Sequence, residues 1–143
     1  MNSSDKKYDE ITVQADVKNL GAVQGFIEER LEAAECSMKA QVQIGVAVEE
    51  IYVNICHYAY KDKGGSGDAM VKMRVEDGMA EIVFEDSGIQ YDPLANEEPD
   101  ITLSAEERQI GGLGIFITKK TMDDVSYEYK DGKNILTLRK KIS

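Results

Sequence analysis

Polar and apolar positions alternate along residues 8–15, YDEITVQA, closely enough to predict a first strand. The period then changes: Leu20, Val23, Phe26, Ile27 and Leu31 recur at helical spacing within residues 20–35. Residues 39–60, KAQVQIGVAVEEIYVNICHYAY, give the clearest helix, with Ile44, Val48, Ile51 and Ile55 on one apolar stripe. KDKGGSGD, at 61–68, reads as a loop by composition. Alternation returns in AMVKMRVE and MAEIVFED, joined by Asp77-Gly78, and again in VSYEYK and NILTLRKK, joined by Asp131-Gly132. An Asp-Gly pair between two alternating runs predicts a tight hairpin. Residues 87–110 lose periodicity and hold Pro93, Pro99 and clustered charge. A nonperiodic stretch this long in a small domain is a functional lid or a disordered segment. A glycine-rich opening then leads into a helix of about 113–122. Helices first and antiparallel hairpins later predict an α+β sandwich, not a doubly wound sheet.

Composition narrows the function classes. A length of 143 residues suits a single domain, 1–143, with a core of its own. The formal net charge of −10 argues against nonspecific binding to nucleic acid or to a membrane surface, both of which need a positive patch. It does not prevent binding of a nucleotide, because a local nest of backbone N–H groups and a metal ion can outweigh the global charge. The opening MNSSDKKYDEI has no apolar run of the signal-peptide kind, and no stretch approaches the ~20 apolar residues of a membrane span. Cys36 and Cys56 fit no metal or redox spacing and read as reduced thiols of a cytoplasmic protein.

Three short stretches could carry chemistry. On the second helix, Glu50, Asn54 and His57 fall within about 60° of one another at the edge of the apolar stripe, while Glu49 points to solvent. A carboxylate and an amide one turn apart can orient a hydroxyl or water, and an amide oxygen suits Mg²⁺. The plainer reading is an ordinary surface Glu–Asn pair. His57, the one histidine, reads more simply as a partly buried ring bonded locally than as a catalytic group. In IVFEDSGIQYDPL, residues 82–94, Asp86 shares the face of Ile82 and Phe84. A carboxylate aimed at an apolar face needs a donor. An exocyclic amine of adenine would serve, with Gly88 letting a flat ring approach the backbone; the simpler alternative is a turn at Asp86-Ser87-Gly88. Finally, RQIGGLGIFITKKTMDD places Gly111, Gly112 and Gly114 at a helix start. Free N–H groups there, unobstructed by side chains, form an anion site suited to phosphates. Neither common phosphate-loop spacing fits, and the signatures of ordinary protein kinases are missing from the sequence.

Taken in order, Glu50-x-x-x-Asn54 on a helix, Asp86-x-Gly88 after a strand and Gly112-x-Gly114 at a helix start resemble the N, G1 and G2 boxes of the GHKL ATPase/kinase superfamily. The short chain, AVEEIYVNICHYAY and GGLGIFITKKTMDDVSYEY are most similar to its branch of bacterial anti-sigma factors that are serine/threonine protein kinases. The resemblance runs from about residue 8 to 141. It implies a two-layer α/β sandwich of the Bergerat, histidine-kinase-like type. A mixed, mostly antiparallel sheet would be covered on one face by helices, with an ATP lid at about 89–111. By the same resemblance, Asp86 binds the adenine amine and Gly88 borders the ring. Asn54 ligates Mg²⁺, while Gly112, Leu113 and Gly114 cradle the phosphates of ATP. Glu50 is the general base, and Arg108 at the lid's end is the candidate γ-phosphate contact. The implied partners are a STAS-domain anti-anti-sigma protein, a sigma factor and a second copy of the chain in a homodimer.

The sequence departs from the family pattern at two places. The family often has histidine four residues after the box asparagine, where this chain has Tyr58. Gln90 and Tyr91 replace the second glycine and the aromatic residue that often follow the second box. The expected activity is phosphorylation of the STAS-domain antagonist. The alternatives are an ATP-gated binding switch with little phosphoryl transfer, a detached catalytic domain of a histidine kinase, and a domain that binds no nucleotide.

Overall fold

A computed structural model describes residues 8–64, 66–95 and 112–143. Among these residues, five strands, β1 (Asp9–Gln14), β2 (Asp68–Glu76), β3 (Met79–Asp86), β4 (Asp124–Lys130) and β5 (Lys133–Lys141), form one sheet in the order β1-β2-β3-β5-β4. The sheet, expected to be mixed and mostly antiparallel, is antiparallel at each described pairing. Both expected hairpins form. Asp77 and Gly78, like Asp131 and Gly132, take positive φ, as the tight turn between right-twisted strands requires.

Among the described residues, three helices, α1 (Leu20–Ala33), α2 (Met38–Asn54) and α3 (Gly112–Thr121), cover one face of this sheet. Ser37 starts α2, its side chain accepting the Ala40 N–H at 3.1 Å. The helices bury Val23, Ile27 and Leu31 from α1 and Ile44, Val48 and Ile51 from α2. Alternation does the same for the strands. Val71, Phe84, Leu136 and Tyr127 lie side by side across the sheet, and Met73, Ile82, Leu138 and Val125 form the next row. All of these except Tyr127 and Val125 are buried.

The opposite face carries charge. Lys72 pairs with Glu85 at 2.6 Å, and Glu81 pairs with Arg74 at 3.2 Å and Arg139 at 2.7 Å. Burial of one Ile or Phe side chain contributes about 1.5–3 kcal/mol, whereas these ion pairs, with Glu81 and Glu85 largely covered, must first recover the cost of desolvating their charges. The helix-covered face therefore holds the fold. Among the described residues, no helix is long and apolar enough to cross a membrane.

The helix expected over 39–60 changes winding partway. Its α-helical part ends at Asn54, and Ile55–Ala59 continues as a π-helical turn. A π turn takes more residues per revolution. The residue that returns above Asn54 is thus shifted along the chain, which decides how the cleft is lined.

Candidate nucleotide site

Asp86 ends β3 on the inward face and is 7% exposed. Its Oδ1 accepts the backbone N–H of Gly88 at 2.9 Å and the Nδ2 of Asn134 at 2.9 Å. Burial pushes its carboxyl above the ordinary value, against the downward pull of the Asn134 and Gly88 hydrogen bonds. Oδ2 has no partner among the described residues, so one acceptor is committed to the fold and one is left toward a donor.

Asn134 is a site residue that the motif reading missed. Its amide is fully used: Nδ2 donates to Asp86 and to the carbonyl of Ile89 at 2.8 Å, while Oδ1 accepts from Tyr91 N at 3.0 Å and from the Tyr127 hydroxyl. One side chain on β5 thereby fixes the carboxylate and the chain leaving β3. The signal was present in the alternation, since Asn134 falls on the inward face with Leu136 and Leu138.

Asp86 and Asn134 open onto a cleft enclosing about 420 Å³ of empty space, its mouth included. Ile51, Ile55, Phe84 and Leu136 make apolar walls, and Asn54 stands on the α2 side. Tyr58 and Tyr91 also line it, with ring centroids 5.9 Å apart and planes at 39°. The π turn accounts for the first of these. It carries Tyr58 to the cleft and leaves His57 exposed, so the expected grouping of His57 with Glu50 and Asn54 does not form. Tyr91, the second departure from the family pattern, supplies aromatic surface to the same wall.

From the cleft the polar groups run toward the start of α3. Asn54 Nδ2 donates to the Glu50 carbonyl at 2.9 Å and to Glu50 Oε1 at 3.2 Å. The amide's two donor contacts leave Asn54 Oδ1 without a described partner, an oxygen of the kind Mg²⁺ accepts. No cluster of three acidic, histidine or cysteine side chains exists among the described residues. A metal here would therefore depend on Asn54, phosphate oxygens and water. Glu50 is half-buried. Desolvation raises its carboxyl above the ordinary value of 4.5; the Asn54 hydrogen bond opposes that shift and Glu49 adds to it. Beyond Glu50 lies Gly114: a Cβ built there would come within 2.5 Å of the carboxylate carbon and both its oxygens.

Gly88 has a packing reason to be glycine besides the one its motif suggested. A Cβ at Gly88 would lie 2.7 Å from the Ala59 Cα and closer still to the Ala59 carbonyl. Its neighbour Ile89 donates its N–H to that same carbonyl at 2.8 Å. The close approach is to the protein's own π turn, and Gly88 is not among the cleft-lining residues. Gly112 and Leu113 begin α3 beside this region. Arg108, Gly111 and residues 96–110 of the expected lid lie outside the described residues.

This geometry coincides with a sequence match: residues 13–140 fit the histidine kinase-like ATPase domain. The chain belongs to that family. Serine-protein kinase RsbW of Listeria monocytogenes is 28% identical over 104 residues, covering 70% of this chain and 66% of that protein. Serine/threonine-protein kinase BtrW of Bordetella bronchiseptica is 26% identical over 102 residues, or 71% of either chain. The ATPase fold is shared with the crystal structure of the RsbU and RsbW domains of Rv1364c from Mycobacterium tuberculosis. That likeness has a TM-score of 0.68 over 96% of this chain and 33% of the other, at 16% identity. The chain spans about two thirds, 66%, of the Listeria relative's length.

Proposed function

We propose that the chain is an ATP-dependent serine/threonine protein kinase acting as an anti-sigma regulatory factor. The carrying observation is the order of groups along the cleft: Asp86, then Asn54, then Glu50, then the bare Cα of Gly114 at the start of α3. A nucleotide laid along that line has its base at Asp86 and its phosphates at α3. The names of the Listeria and Bordetella relatives support the kinase reading over ATP binding alone.

In this reading the exocyclic amine of adenine donates to Asp86 Oδ2, and the ring fills the apolar space beside Tyr58 and Tyr91. Asn54 Oδ1 would hold Mg²⁺, which when bound neutralises charge on the phosphate oxygens. The N–H groups at Gly112, Leu113 and Gly114 receive the phosphates. Glu50 accepts the proton of an incoming serine hydroxyl as the Oγ–phosphorus bond forms. The bond from the γ-phosphorus to the β–γ bridging oxygen breaks and ADP leaves. A base raised by burial is better matched to neutral pH than an ordinary glutamate.

The protein acceptor is a serine of a STAS-domain anti-anti-sigma protein, with a sigma factor as the second partner of a cytoplasmic homodimer. The test is Glu50→Ala, assayed against a STAS-domain protein with radiolabelled ATP. Affinity for ATP should stay within about threefold while transfer falls by at least about a hundredfold, the scale of a lost general base. Transfer at the wild-type rate would remove Glu50 as the base. A variant that transfers nothing yet still exchanges partners normally with ATP would favour an ATP-gated binding switch.

A further inference from the structure

Gly114 stands in a phosphate-binding stretch by sequence, yet its missing side chain faces Glu50. A Cβ at this position would overlap the carboxylate within 2.5 Å and meets no closer obstacle. The backbone does not demand glycine here, because Gly114 lies inside α3 without positive φ. Alanine in a helix is favoured over glycine by about 1 kcal/mol. The clashing atoms are the free end of a flexible side chain, so the fold can absorb the methyl group by moving the carboxylate. What it cannot keep is the carboxylate's present position, held from the α2 side by the 3.2 Å contact with Asn54 Nδ2.

We propose that Gly114 is a positioning residue for Glu50: the bare Cα of α3's first turn is the socket that sets where the carboxylate sits. The inference rests on the reading of Glu50 as the base. It assigns Gly114 a role that acts through Glu50, in addition to any contact its N–H makes with phosphate. The helix that receives the phosphates and the group that deprotonates the acceptor are thereby held in fixed relation, with no side chain between them.

The experiment is a double-mutant cycle of Gly114→Ala and Glu50→Asp, read by MgATP affinity in calorimetry and by phosphate release from MgATP with water as acceptor. A socket predicts that Gly114→Ala lowers turnover by at least about tenfold more than it weakens MgATP binding. A displacement of about 1 Å at a reacting group is enough for such a loss. In the Glu50→Asp background, where the shorter carboxylate leaves room for a methyl group, Gly114→Ala should change turnover by less than about threefold. Equal losses in both backgrounds, or affinity falling as far as turnover, would overturn the proposal and leave Gly114 a phosphate contact alone.

A second readout separates this inference from the kinase reading. In a crystal structure of the Gly114→Ala protein, the Glu50 carboxylate should stand at least about 1 Å from its wild-type place, with its contact to Asn54 Nδ2 broken. If wild-type turnover does not depend on Glu50, the kinase reading fails, and this displacement still decides the socket. A carboxylate left in its wild-type place in Gly114→Ala would reject it.

Discussion

Asp86 and Asn134 show how a fold stores a functional group at a cost. The carboxylate is buried, its ionised form is disfavoured by desolvation, and two donors restrain only one of its oxygens. A group whose folded pKa is raised contributes stability below its unfolded value, and that stability is lost as pH rises through the folded value. For Asp86 the loss begins above the ordinary 3.8 and continues through its raised folded value. Asp86→Asn, which keeps an acceptor oxygen for Gly88 and Asn134, should therefore melt higher than the wild type at pH 7. The gap should narrow as the pH is lowered toward 4, followed by circular dichroism. A gap that widens on acidification would mean that the ionised carboxylate stabilises the fold. The inward Asp86 was readable from strand alternation alone. Asn134 was not read, because an asparagine in an alternating strand acquires meaning only when its partners across the sheet are known.

At the scale of elements, the decisive feature is the π turn at Ile55–Ala59 and the chain that packs on it. A hydrophobic pattern with period 3.6 fits α2 up to Asn54, and the apolar stripe through Ile55 gives no notice of the extra residue in the next turn. That is why His57 looked like a neighbour of Glu50 and Asn54. In the structure His57 is exposed, while Tyr58, where the family often has histidine, lines the cleft. The same turn explains Gly88, whose neighbour is the Ala59 carbonyl. Backbone cannot retreat as a side-chain tip can, so Gly88→Ala should cost about 1–3 kcal/mol, the range of overpacking. It should also weaken ATP binding by displacing the chain that leaves β3 beside Asp86. Gly45→Ala, in the middle of α2 with no atom within 4 Å of the added Cβ, should instead stabilise by up to about 1 kcal/mol. Urea unfolding of the two variants gives the comparison. Equal, small effects would contradict the packing account of Gly88.

For the whole molecule, one sheet covered by helices on a single face leaves a cleft between the layers, at the end where Asp86 finishes β3 and α3 begins. That architecture was legible early, because hairpins, helix stripes and order of elements all pointed the same way. The boxes are far apart in sequence, at 50–54, 86–88 and 112–114, and only the fold shows Asn54 and Asp86 on one cleft with Glu50 reaching from it to Gly114. The net charge of −10 makes any hold on a polyanion a local matter, of the kind that backbone N–H groups and a metal can supply. The most direct measurement of the central claim is a calorimetric titration with ATP, with and without Mg²⁺, of the wild type and of Asp86→Asn. The account predicts binding in the micromolar range that Mg²⁺ strengthens. The folded variant should lose it, since its amide presents a donor where adenine also presents one. Failure of the folded wild type to bind, or unchanged affinity in Asp86→Asn, would contradict the account.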